Sequence, residues 1–97
     1  DYGLDLLRGH VANVHIKNAS WVRSSGTWTW QWDGLQHGMV DWPQLFRLLA
    51  ARGYRGMFAM EDFLVPRSYE AALEHLTASR REAELLLERS GSRARAA

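Results

Sequence analysis

The chain has 97 residues, 46% of them hydrophobic, which suits one small globular domain. Twelve Lys and Arg stand against eleven Asp and Glu, a formal net charge of +1, and so even a balance argues against nucleic acid or an anionic membrane as the main partner. There is no cysteine, which removes disulfides and thiolate metal sites and suits a cytoplasmic location, and no apolar run reaches transmembrane length or resembles a signal peptide.

Taken in order, Leu4, Leu6 and Leu7 among polar neighbours predict the last turns of a helix over 2–8, closed by Gly9. Val11 to Lys17 predicts a strand, with Val14 and Ile16 β-branched. A period of two puts Ala12, Val14 and Ile16 on an apolar face, and Val11, Asn13, His15 and Lys17 on the other. Asn18 to Val40 has no clear period and reads as a long functional loop. Within it Thr27–Trp32 alternates, which allows a short hairpin arm turning at Ser25-Gly26. Trp21, Trp28, Trp30 and Trp32 in this loop either pack it onto the scaffold or form a substrate lid, Trp21 being the candidate substrate contact.

Asp41 to Gly53 predicts a helix capped by Asp41, with Pro43 in its first turn and Leu45, Leu48 and Leu49 as its buried stripe. Met57 to Glu61 predicts a second strand, covered on both faces as parallel strands are. Ser68 caps a final helix over 69–89, whose apolar positions are Tyr69, Ala72, Leu73, Leu76, Ala83, Leu86 and Leu87. Residues 91–97, with Arg93 and Arg95, read as a disordered tail. Two β-loop-α units leave a parallel sheet incomplete, and a start at Asp1 rather than Met suggests a fragment or a processed product.

In α/β folds the chemistry gathers outside the carboxyl ends of the strands. Both predicted strands end in functional side chains, His15 and Lys17 on the first and Glu61 on the second. Side by side in a parallel sheet, His15 and Glu61 converge, and an imidazole with a carboxylate suits Mn²⁺, Mg²⁺, Co²⁺ or Zn²⁺. Two ligands do not complete a site, and spacing alone leaves a core histidine with a solvated glutamate as the plain alternative. Asp62 faces away from Glu61, His10 stands at the wrong end of its strand, and His75 falls in the last helix. Lys17 is a substrate contact or a rim charge.

The strings Asn13-Val14-His15-Ile16-Lys17-Asn18, Gly38-Met39-Val40-Asp41-Trp42, Gly53-Tyr54-Arg55-Gly56 and Met60-Glu61-Asp62-Phe63 together resemble the last quarter of the xylose isomerase-like TIM-barrel family. The resemblance covers residues 3–90 and implies an α/β fold in which this chain supplies strands and helices seven and eight of a (β/α)₈ barrel. A full barrel needs about 250 residues, so the other six strands lie upstream. It implies a divalent metal held by His15 and Glu61, with Glu61 also a catalytic acid or base, and further ligands from earlier strands. The implied activity is isomerisation or epimerisation of a sugar or sugar phosphate, with a dehydratase or a non-catalytic binding barrel as alternatives, in a full-length protein that can be a homo-oligomer. Lys17-Asn18 stands where the family often has Lys-Asp, Gln36-His37-Gly38 stands for its Gly-Glu-Gly, and the Trp-rich segment is longer than its common loop.

Overall fold

The computed structural model describes residues 2–91, so the expected tail lies outside the described residues except for Gly91. The order is α1 (Tyr2–Leu6), β1 (Asn13–Ile16), β2 (Asn18–Ser24), β3 (Thr27–Asp33), α2 (Trp42–Ala51), β4 (Met57–Met60) and α3 (Tyr69–Arg89). The fold is mixed α/β with two sheets of two strands each.

β1 and β4 pair in parallel, Asn13 opposite Met57, Val14 opposite Phe58, His15 opposite Ala59 and Ile16 opposite Met60. A bond from the Glu61 amide to the Ile16 carbonyl (2.9 Å) carries the ladder one residue further. Because alternate side chains point to opposite faces, Ile16 (1% exposed) and Phe58 (0%) go down into the core, while His15 and Lys17 stay in solvent.

α2 lies on that apolar face. Asp41 caps it by accepting from the Gln44 amide (3.1 Å), and its buried positions are Trp42, Phe46 and Leu49, an i, i+4, i+7 stripe. The expected stripe of Leu45, Leu48 and Leu49 is thus rotated. Leu45 and Leu48 are only half-buried, because the helix turns its larger rings to the sheet. Phe46 packs edge-on against Phe58 with centroids 5.1 Å apart, and Tyr54 meets Phe58 at 5.2 Å, so an aromatic cluster fills the space beneath two short strands. Gly53 ends the segment with φ +79°, a conformation open to glycine without strain.

α3 begins at the expected Ser68 cap, whose hydroxyl accepts from the Ala71 amide (3.2 Å). Only Ala83, Leu86 and Leu87 are buried on it. Tyr69, Leu73 and Leu76 stand 81%, 56% and 42% exposed, so the apolar stripe is covered only in its carboxyl-terminal half, where the helix packs in the core with Phe46 and Phe58.

The segment expected to be a long loop contains a β-hairpin of two seven-residue strands. β2 and β3 pair antiparallel from Asn18–Asp33 to Ser24–Thr27. Ser25 (φ 51°) and Gly26 (φ 78°) form a two-residue turn with both residues left-handed, the geometry that matches strand twist in a tight hairpin. The hairpin and its turn lie where the sequence allows them, and the strand ahead of the turn, which the sequence leaves without bounds, is Asn18–Ser24.

Candidate functional site

His15, Lys17 and Glu61 meet at the carboxyl end of the parallel pair. His15 and Lys17 are two apart on β1 and so share a face, and the parallel register places residue 61 beside residue 17. His15 Nδ1 stands 3.5 Å from Glu61 Oε2, and Lys17 Nζ stands 3.4 Å from the same oxygen. The side chains are 58%, 47% and 36% exposed, so solvent screens these contacts and each adds little to stability. Lys17 also lies over the Trp32 ring, 5.6 Å from its centroid.

A second cluster lies on the other face of the same strand end. Asp62 Oδ2 is 2.7 Å from His75 Nε2 and accepts from the Ser79 hydroxyl at 3.2 Å, while Asp62 Oδ1 accepts from the Leu64 amide at 2.8 Å. The Asp62 side chain is only 13% exposed. His75 falls on α3 as the sequence predicts, yet its ring reaches the strand end. The signal that marks it is the spacing of His75 and Ser79, one helical turn apart and hence on one face, opposite an Asp that alternation turns away from Glu61.

Between these clusters is a cavity of about 260 Å³, lined among others by Lys17, Trp32, Glu61, Asp62, Phe63 and His75. Trp32 and Phe63 stack with centroids 4.3 Å apart and planes 17° apart, and close one side of it. A second cavity of about 210 Å³ lies at the amino ends of the strands, among Leu4, Arg8, Val11 and Tyr54, away from all these groups. There burial pushes the Tyr54 phenol up from its ordinary value, and its hydroxyl donates to the Met57 carbonyl at 2.6 Å.

Asn18 positions the mouth of the site. It is 4% exposed and uses its whole amide. Its Nδ2 donates to the carbonyls of Leu35 (2.9 Å) and Val40 (3.0 Å), and its Oδ1 accepts from the amides of Ala19 and Val40, both at 3.0 Å. One side chain thus ties the start of the hairpin to the segment that leads into α2. Gly38 packs against that amide, and a Cβ there would come within 2.7 Å of the Ala19 carbonyl oxygen. The Trp42 indole adds a bond to the Lys17 carbonyl at 2.9 Å, fixing the backbone of the residue that faces Glu61.

At the hairpin base, Ser20 donates to Asp33 Oδ2 at 2.7 Å and the Gly34 amide donates to Oδ1 at 2.9 Å. The Ser20 hydroxyl first, then the Gly34 amide, holds the Asp33 carboxyl below its ordinary value, with His37 assisting and desolvation opposing.

The packing alternative for the tryptophans holds for one of the four. Trp32 is half-buried against Phe63, whereas Trp21 is 54%, Trp28 61% and Trp30 52% exposed. Trp21, the expected substrate contact, pairs across the hairpin with Trp30 and does not line the cavity.

His15 and Glu61 fit half of a metal's donor set. Two ligands with bonds of about 2.1 Å to one cation stand roughly 3.0–3.4 Å apart, close to the 3.5 Å seen between Nδ1 and Oε2. Among the described residues no group of three or more His, Cys, Asp or Glu is placed to hold a metal ion, so any further donors come from outside this set. Also among the described residues, no helix is long and apolar enough to cross a membrane. Comparison with protein-family models, with curated proteins and with solved structures finds no match to the chain.

Proposed function

We propose that this chain forms the last two β-α units of a xylose isomerase-like (β/α)₈ barrel, a divalent-metal-dependent sugar isomerase or epimerase. The observation that supports the reading most is the meeting of His15 and Glu61 on one face, at the carboxyl end of two adjacent parallel strands. Barrel enzymes build their active sites at that end, and the opposite face of the pair is occupied by core.

On this reading His15 and Glu61 would hold the cation, and upstream strands would supply the remaining donors. When bound, the cation polarises the substrate's carbonyl oxygen. Glu61 removes or returns a proton at the carbon beside that carbonyl, and the carboxylate is exposed enough to reach it. Lys17 stands close enough to Glu61 to pair with its carboxylate and to donate to a substrate oxygen. Trp32 and Phe63 exclude water from one side of the cavity.

The test is solvent deuterium exchange into a ketose by the full-length protein at saturating Mn²⁺, for the native residue and for Glu61→Gln. The amide fills the same space, so the fold should persist while exchange falls by about 10²–10⁴-fold. Recovery of the native rate once the metal is saturating would reduce Glu61 to a ligand. Native protein that neither binds Mn²⁺ nor exchanges any ketose proton would leave the binding-barrel alternative standing.

A further inference from the structure

The hairpin register gathers the aromatic residues on one side. Cross-strand partners share a face, so the pairs Ala19–Trp32, Trp21–Trp30 and Arg23–Trp28 lie together. The other face carries Asn18, Ser20, Val22, Ser24 and their partners Thr27, Thr29, Gln31 and Asp33. Four tryptophans and one arginine therefore form a continuous strip. Its inner end is fixed, because Trp32 stacks on Phe63, meets Trp30 edge-on at 4.8 Å and lies under Lys17. Its outer rings are more than half exposed.

We infer that the substrate is a neutral reducing oligosaccharide of two or three sugar rings, with its reducing-end ring, which opens to the carbonyl, at Glu61 and the others laid along Trp30, Trp21 and Trp28. The inference rests on the isomerase reading and names its substrate class. Length is the first argument: Trp32 to Trp28 is four strand residues, about 14 Å at ~3.4 Å each, roughly the span of two or three pyranose rings. A single sugar at Glu61 would leave the outer rings without a task.

Charge is the second argument. The C–H faces of a sugar ring stack on indole without needing a counter-charge, and this strip carries only Arg23. A single-stranded nucleic acid would need a cationic groove beside the aromatic rings. A sugar phosphate would need a cation or an open helix amino terminus, commonly in the loops after barrel strands seven and eight. Here Asp41 caps α2, while Ser68 caps α3 and Glu70 occupies its first turn. Lys17 stands at Glu61, the reacting end, where it meets the reacting ring rather than a distal phosphate.

The test measures dissociation constants by tryptophan fluorescence for the Mn²⁺-loaded full-length protein. The probes are glucose, cellobiose and cellotriose, the matching malto-series, glucose 6-phosphate and oligo-dT. In at least one series affinity should rise roughly three- to tenfold per added ring. Trp28→Ala and Trp30→Ala should lower trisaccharide affinity by about the same factor per ring, and glucose affinity by less. Tyr69→Ala, which removes an exposed aromatic outside the strip, is the control and should change neither. Equal affinity along both series, tighter binding of glucose 6-phosphate or oligo-dT than of the trisaccharides, or loss of a dimer on Trp28→Ala would each overturn the inference. The two proposals separate cleanly. Mn²⁺ binding lost in Glu61→Gln without any chain-length gain removes the oligosaccharide alone, whereas a chain-length gain without Mn²⁺ binding removes the isomerase and leaves a saccharide-binding strip.

Discussion

Lys17 Nζ stands 3.4 Å from Glu61 Oε2, on the oxygen that also faces His15. A fixed ammonium and a divalent cation therefore compete for one carboxylate. Lys17→Met should tighten Mn²⁺ binding, because the repelling charge is gone and the carboxylate is released. The side chain is about half exposed, so screening keeps the gain to about two- to fivefold. Mn²⁺ titration followed by electron paramagnetic resonance reads the change, and weaker binding in the variant would mean that Lys17 orients Glu61 rather than competing for it.

Asn18 offers a sharper stability test. Its two donors and its acceptor oxygen are all used in a buried position. Asn18→Asp keeps the shape but replaces both donors with an acceptor facing two carbonyls, and should cost about 3–5 kcal/mol. Asn18→Ala removes the group altogether and should cost about 2–3 kcal/mol, because the amides of Ala19 and Val40 and the carbonyls of Leu35 and Val40 lose this partner. The midpoint of urea unfolding orders the three proteins, and an Asp variant as stable as the native chain would contradict the hydrogen-bond assignment.

Gly38 is coupled to that residue. A side chain there overlaps the Asn18 amide and the Ala19 carbonyl. Gly38→Ala should therefore destabilise by about 1–3 kcal/mol. In the double variant with Asn18→Ala part of the loss should return, since one of the two clashing groups has gone. A double-mutant cycle should show a coupling of roughly 0.5–2 kcal/mol. Strict additivity would place the two residues apart.

Much of the scaffold was legible because local chemistry marks it. Asp41 and Ser68 cap helices, Gly53 ends one, and the alternation in 11–17 separates Ile16 from His15, whereas the first helix stops at Leu6, ahead of the expected end at Gly9. Phe46 was missed because a stripe of leucines fits the helical period nearly as well, and only the shape of the aromatic cluster decides between them. The extent of β2 was not legible because its pattern is defined by a partner strand rather than by a core. Arg23 sits among the aromatic residues and Val22 among the polar ones, which blurs the period of two. The Asp62–His75 contact joins residues 13 apart through the fold of the 62–68 segment, which no local rule specifies. Meeting of His15 and Glu61 followed from the parallel pairing alone.

The hairpin base should be acid-sensitive. The Asp33 carboxyl is held below its ordinary value chiefly by the Ser20 hydroxyl. A group depressed in the folded state contributes stability above its unfolded value, and loses it as pH falls through the folded one. Ser20→Ala removes the largest cause, so the Asp33 titration should move up towards the ordinary carboxylate range. Carboxyl NMR of Asp33 reads the midpoint, and tryptophan fluorescence follows the loosening of Trp32 at the same pH. An unchanged midpoint would assign the shift to the Gly34 amide instead.

The isolated 97-residue chain should associate with itself. β1 and β4 form a two-stranded parallel sheet, so each strand keeps one edge without a partner strand within the described residues. Such edges invite pairing with another chain. The face bearing His15 lies open, and Met57, Leu73, Leu76 and the three outer tryptophans add exposed apolar surface. Parallel sheets are ordinarily covered on both faces, and here helices cover only one. Light scattering should therefore report a mass well above the 11.1 kDa of one chain, and calorimetry a broad transition that shifts with protein concentration. A Lys placed at Met57, at the outer end of β4, should reduce the mass if apolar contact there drives association. A monomer with a sharp, concentration-independent transition would instead show that the aromatic cluster around Phe46 and Phe58 sustains the fold alone, and would weigh against the barrel reading.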